Sequence, residues 1–101
     1  MATKTGVQIR TNAKTKSFVP RPYKVILLND DVTTMDFVVY ILMEIFAKNF
    51  NDAVDLMMKV HKQGRAVCGA YPKEIAECKQ QAVLQAAKAA GFPLRCEIEE
   101  D

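Results

Sequence analysis

The sequence predicts a two-layer α/β sandwich, with helices packed on one face of a short sheet. Three observations carry this. β-rich runs near residues 23–28, 65–71 and 94–99 are separated by stretches of helical period. The elements come in the order β-α-α-β-α-β, which fits one sheet and one helical layer. The 101 residues are 50% hydrophobic and 26% charged, the composition of one small globular domain with a modest core.

Residues 1–22 carry Lys4, Arg10, Lys14, Lys16 and Arg21 without an acid, and close on Pro20 and Pro22. They read as a flexible basic N-terminal arm, leaving 23–101 as the core domain. Tyr23 to Leu28 is nearly all apolar and should be the central strand. It stops at Asn29-Asp30-Asp31, three turn formers in a row. Thr33 and Asp36 resemble a capping box, with Asp in place of Glu, opening a helix that runs to about Lys48. Asp36, Tyr40, Glu44 and Lys48 recur every four residues, a narrow polar stripe that predicts a mostly buried rod.

A second helix is expected from Asn51 as N-cap, with Asp52 and Asp55 at the positive end of its dipole and Gly64 as its stop. Ala53, Leu56, Met57 and Val60 form its core face. Arg65 to Tyr71 reads as a strand with a weak point at Gly69. Pro72 suits the opening of a third helix, Lys73 to Ala90, with an apolar stripe of Ile75, Cys78, Ala82, Ala86 and Ala90. Gly91 and Pro93 end it. Leu94 to Glu99 then alternates Leu94, Cys96 and Ile98 inward against Arg95, Glu97 and Glu99 outward.

Several function classes are disfavoured. A net charge of +2 argues against nucleic acid as the main partner. No stretch has the ~18–20 apolar residues of a membrane span. Three cysteines without a CxxC pair do not suggest a disulfide framework, and no apolar signal segment opens the chain. A reducing compartment is therefore expected. Gly-x-Ser-x-Gly, His-Glu-x-x-His and Gly-rich phosphate loops are all missing. Cys68 and His61 could form a nucleophile pair, but a thiol in an apolar strand is inert. No ligand spacing supports a metal, and no cofactor is implied.

A binding role uses the polar residues better. Asn29 offers an amide oxygen, Asp31 a carboxylate and neutral His61 a ring nitrogen. If they converge, three acceptors suit a three-donor ammonium ion, with Met35, Val38 and Met57 lining an apolar hole beside it.

Four ordered motifs carry a resemblance across about residues 20–100. They are Tyr-Lys-Val-Ile-Leu-Leu-Asn-Asp-Asp-Val-Thr-Thr-Met-Asp-Phe from Tyr23 to Phe37, His-Lys-Gln-Gly-Arg-Ala-Val-Cys-Gly from His61 to Gly69, Glu-Ile-Ala-Glu-Cys-Lys from Glu74 to Lys79, and Pro-Leu-Arg-Cys-Glu from Pro93. The chain resembles the ClpS family, adaptors of the bacterial Clp protease that recognise N-degrons. The resemblance implies three helices on a three-stranded antiparallel sheet, a monomer, and no enzymatic activity. It narrows the expected compartment to the bacterial cytoplasm, ahead of a plastid stroma. It implies binding of polypeptides that begin with Leu, Phe, Tyr or Trp. These would pass to the N-terminal domain of the AAA+ unfoldase ClpA, or ClpC in a plastid, which feeds ClpP. By motif position, Asn29, Asp31 and His61 would hold the free α-amino group, and Asp30 the following peptide backbone. Thr33, Met35, Val38, Met57, Val60 and Leu94 would line the side-chain pocket, with Met35 as a gate against β-branched residues. Glu74 and Lys79 would dock the unfoldase, and the arm would be engaged during delivery. Thr34, Asp36, Val32 and Cys78 depart from the family's usual residues. The competing expectation is a generic protein-interaction domain of similar fold that ignores free N-termini.

Overall fold

Val25, Ile26 and Leu27 are completely buried, and the sheet is built around them. In the computed structural model residues 21–101 are described, so the expected arm lies outside the described residues up to residue 20. The elements are β1 (Tyr23–Leu28), α1 (Met35–Glu44), α2 (Phe50–Gln63), β2 (Arg65–Tyr71), α3 (Lys73–Ala90) and β3 (Arg95–Glu100). The sheet is antiparallel throughout, in the order β2-β1-β3. The apolar strand therefore takes the middle, as its composition predicts, and the expected β-α-α-β-α-β sandwich is found.

The β1–β2 register slips where Val25 pairs with Gly69 and Ile26 with Val67, which leaves Cys68 as the extra residue of a bulge. Gly69 marks a close approach. A Cβ there would lie 2.7 Å from Cζ of Tyr71, inside contact distance. Alternation in β3 is as expected: Leu94 and Cys96 are buried and Ile98 is half-buried. Lys24 bridges Glu99 at 3.7 Å and Asp101 at 3.8 Å, and Arg65 reaches Glu99 at 3.3 Å. These exposed pairs contribute at most ~1 kcal/mol each.

The helix boundaries and faces correct the sequence reading in five places, four of them in α1 and α2. Thr34, not Thr33, caps α1, accepting from the Phe37 N–H, because Thr33 is engaged by Asp30. The helix ends at Glu44 rather than Lys48. Ala47 sits at φ 56°, a left-handed conformation that stops propagation, and the Lys48 N–H turns back to the Leu42 carbonyl. Nor is α1 mostly buried: Val38, Ile41 and Leu42 are, while Tyr40 and Met43 face out. Asn49, not Asn51, caps α2, accepting from the Asp52 N–H at 2.8 Å.

The predicted stop of α2 holds, with Gly64 at φ 90° donating its N–H to Val60. Its core face holds in Ala53, Met57 and Val60, with Leu56 half-buried. The predicted stripe of α3 is rotated away from the real one. Ala76, Val83 and Ala87 are buried, whereas Ile75 and Cys78 are exposed. Small alanines allow close approach to the sheet, so the tightest face of an alanine-rich helix need not carry its largest apolar residues. The Gln80 side chain donates to the Cys96 carbonyl at 2.9 Å and ties α3 to β3. Phe92, just past Gly91, packs 5.0 Å from Phe37 and ties the end of α3 to α1.

Candidate functional site

The site grows from the end of β1. Leu28 is the last paired residue, with Arg65 on one side and Arg95 on the other. The next amide, Asn29 N–H, donates to the Gly64 carbonyl at 2.9 Å. That bond sets the Asn29–Asp31 turn beside the last turn of α2, where His61 lies three residues before Gly64. The turn has an internal brace. Asp30 Oδ1 accepts from the N–H groups of Val32 at 2.8 Å and Thr33 at 2.7 Å, and Oδ2 from the Thr33 hydroxyl at 2.7 Å. Burial pulls the Asp30 carboxyl upward, but these hydrogen bonds and the charge of Arg95 outweigh it. The carboxyl sits below its ordinary value.

A cavity of about 210 Å³ opens here. Asn29, Asp30, Asp31 and His61 supply its polar lining, and Thr33 joins them. Met35, Val38, Met57 and Val60 supply the apolar wall. Val38, Met57 and Val60 are anchored in the core, while Met35 is 43% exposed. An apolar cavity of ~150 Å³ is enough for benzene, so this one has the volume of a leucine or phenyl side chain.

Leu94 does not line the cavity. It is 4% exposed and packs in the core at the start of β3. Glu74 is exposed in the first turn of α3. Lys79 is half-buried and turned inward: Nζ donates to the Ile45 carbonyl at 2.7 Å and stands 5.5 Å from the Tyr71 ring centroid. Sequence reasoning passed over Arg95, whose charge acts on Asp30. The signal would have been its pairing opposite Leu28, which requires the register.

The conceivable Cys68–His61 pair fails on environment. Cys68 is 1% exposed, and burial pushes its thiol to about 12, whereas His61 faces solvent. Burial likewise pushes Cys96 to about 12. Among the described residues no group of three His, Cys, Asp or Glu could hold a metal ion. No helix among them is long and apolar enough to cross a membrane.

The fold and site are those of a small α/β domain with a polar turn and a histidine on a cavity with an apolar wall, its Cys68 and Cys96 thiols buried. Residues 19–97 match the family described as "ATP-dependent Clp protease adaptor protein ClpS". The ClpS adapter of Wolinella succinogenes is 53% identical over 97 residues, covering 94% of this chain and 95% of that one. That of Neisseria gonorrhoeae is 54% identical over 81 residues, covering 80% and 78%. Among solved structures, Agrobacterium tumefaciens ClpS2 bound to L-phenylalaninamide superposes with a TM-score of 0.80 at 37% identity, covering 82% of this chain and all of that one. The chain belongs to the ClpS family: it is an adaptor of the Clp protease, and not an enzyme.

Proposed function

We propose that this adaptor recognises the free α-amino group and the bulky hydrophobic first residue of N-degron polypeptides, Leu, Phe, Tyr or Trp. It hands them to a ClpA-type unfoldase for degradation by ClpP. The observation that supports this is the joint placement of Asn29, Asp31 and His61 on a cavity with an apolar wall. An ammonium has three donors and needs three acceptors, which an amide oxygen, a carboxylate and a neutral imidazole provide. Asp30 also lines the cavity, and its carboxylate, braced by Val32 and Thr33, would meet the following peptide unit. The ligand of the Agrobacterium relative has the same chemistry, a free amine beside a benzyl side chain.

The magnitudes are consistent with an adaptor. Each charge-assisted hydrogen bond contributes ~1.5–3 kcal/mol. Burial of a Leu or Phe side chain adds ~1.5–3 kcal/mol. After the entropic cost of association, about −8 kcal/mol remains, a micromolar affinity that permits release. Delivery uses the exposed start of α3 around Glu74 and the basic arm ahead of the core domain, with the adaptor acting as a monomer in the bacterial cytoplasm.

Fluorescence anisotropy tests the reading. Labelled peptides beginning with Leu, Phe or Trp should bind, while the N-acetylated Leu peptide and peptides beginning with Met or Gly should not. Equal binding of free and acetylated Leu peptides would reject it and favour a generic interaction domain.

A further inference from the structure

The furrow between α1 and α2 does not stop at the first-residue cavity. Beyond Met57, which lines both, it widens into a second groove of about 480 Å³. Tyr40 and Met43 wall it from α1, and Phe50 and Val54 from α2. Three of these are large apolar side chains left in water: Tyr40 is 55% exposed, Met43 37% and Phe50 60%. The sequence reading placed Tyr40 on a polar stripe and passed over Phe50. Their signal was an aromatic residue out of phase with the buried positions of its helix.

The two helices are joined by the short turn at 45–49 and run back alongside each other. The cavity therefore lies at the end of the furrow near His61, and the groove at the end near Phe50. From Met57 to Phe50 is about 10.5 Å along α2, at 1.5 Å per residue. An extended polypeptide covers that in roughly three residues, at about 3.3 Å each. The groove's rim carries Asp36 and Glu44, and among the described residues no Lys or Arg lines it. The rim thus has the sign of Asp30 and Asp31 at the cavity, suited to a segment that follows a cationic terminus.

We propose that this groove is a second subsite of the adaptor. It takes a large apolar side chain of the same bound polypeptide, three to five residues in from its N-terminus. The proposal rests on the N-terminal recognition reading above. The substrates bound best are then those with two apolar residues at this separation, not those with a suitable first residue alone.

The test uses fluorescent Leu-headed peptides that differ only in the position of one Phe, from second to seventh, against an all-Ser control. Each is made free and N-acetylated. The expected result is a gain of about fivefold in affinity with Phe at the third to fifth position, and less elsewhere. In Phe50→Ser or Tyr40→Ser, both solvent-facing changes, those peptides and the control should bind alike. A free-over-acetylated preference without any gain from Phe would overturn the subsite and leave first-residue recognition standing. Loss of that preference would overturn both. A gain equal at every position would overturn the subsite as mere stickiness. So would self-association of the peptide-free protein, seen by sedimentation and abolished by Phe50→Ser, which would give the groove to a second copy.

Discussion

Replacing Lys79 with Met asks what holds the end of α1. The Lys79 ammonium donates to the Ile45 carbonyl at 2.7 Å, just where α1 ends, and the same group stands 5.5 Å from the Tyr71 ring centroid. A hydrogen bond from a charged donor contributes ~1.5–3 kcal/mol. A cation–π contact adds ~0.5–1 kcal/mol at a partly exposed site. Lys79 is half-buried and water can reach the vacated carbonyl, so the low ends apply, giving a loss of about 2 kcal/mol. Methionine keeps the apolar stem, so packing changes little. In a domain this small, that loss lowers Tm by on the order of 10 °C. Urea unfolding followed by circular dichroism should show an earlier midpoint at an unchanged m-value. A variant within about 0.5 kcal/mol of wild type, the range of an inert surface change, would refute the reasoning. The same variant separates two roles for this residue. Unfoldase affinity retained at low temperature, where the variant is folded, would make Lys79 a brace. Affinity lost there with stability intact would make it a docking residue.

Three further outcomes are expected. Met35→Ala should widen the cavity mouth and admit Ile or Val at the first position with a gain of about tenfold, or ~1.4 kcal/mol; continued rejection of both would sink the gate assignment. The Asp30 carboxyl titrates lower in the folded protein than its ordinary 3.8, so the unfolded chain binds more protons between the two values. Its contribution is therefore complete above the ordinary value and is lost as pH falls through the folded one. In thermal melts, wild type should exceed Asp30→Asn at neutral pH by a margin that shrinks in acid, and a constant margin would contradict the linkage. Of the free thiols Cys68, Cys78 and Cys96, Cys78 is exposed and should react at once with a disulfide reagent, while the other two wait for unfolding; rapid reaction of all three would mean the core is looser than drawn.

What the sequence disclosed depended on whether a signal was local. β1 was legible because six nearly apolar residues end abruptly in three turn formers, and no tertiary contact competes with that. Gly64 and Gly91 were legible as helix ends because a left-handed φ favours glycine. Thr33 against Thr34 and Asn49 against Asn51 were not, because each pair offers two good caps and the choice falls to neighbours such as Asp30. The face of α3 was misread because Ile75 and Cys78 point outward while Ala76, Val83 and Ala87 face the core. For the candidate site, residue types were readable but their meeting was not. Asn29 and His61 are brought together by the pairing of Leu28 with Arg65, a fact of register that no spacing reveals. Leu94 entered the expected pocket through the family resemblance, but its place in the core just ahead of β3 is off the lining.

The bond from Asn29 N–H to the Gly64 carbonyl gives the molecule a gauge of its own occupancy. Solvent hydrogen exchanges at that amide only when the strand end and the last turn of α2 part, so the exchange rate measures the free energy of local opening. On the proposed reading, a ligand held by Asn29 and Asp31 on one side and His61 on the other has to be released before they separate. Occupancy then raises the opening free energy by RT ln(1 + [L]/Kd). A single backbone amide, followed by mass or magnetic resonance, would report how tightly any unlabelled polypeptide is held, including natural substrates too large or too scarce to tag.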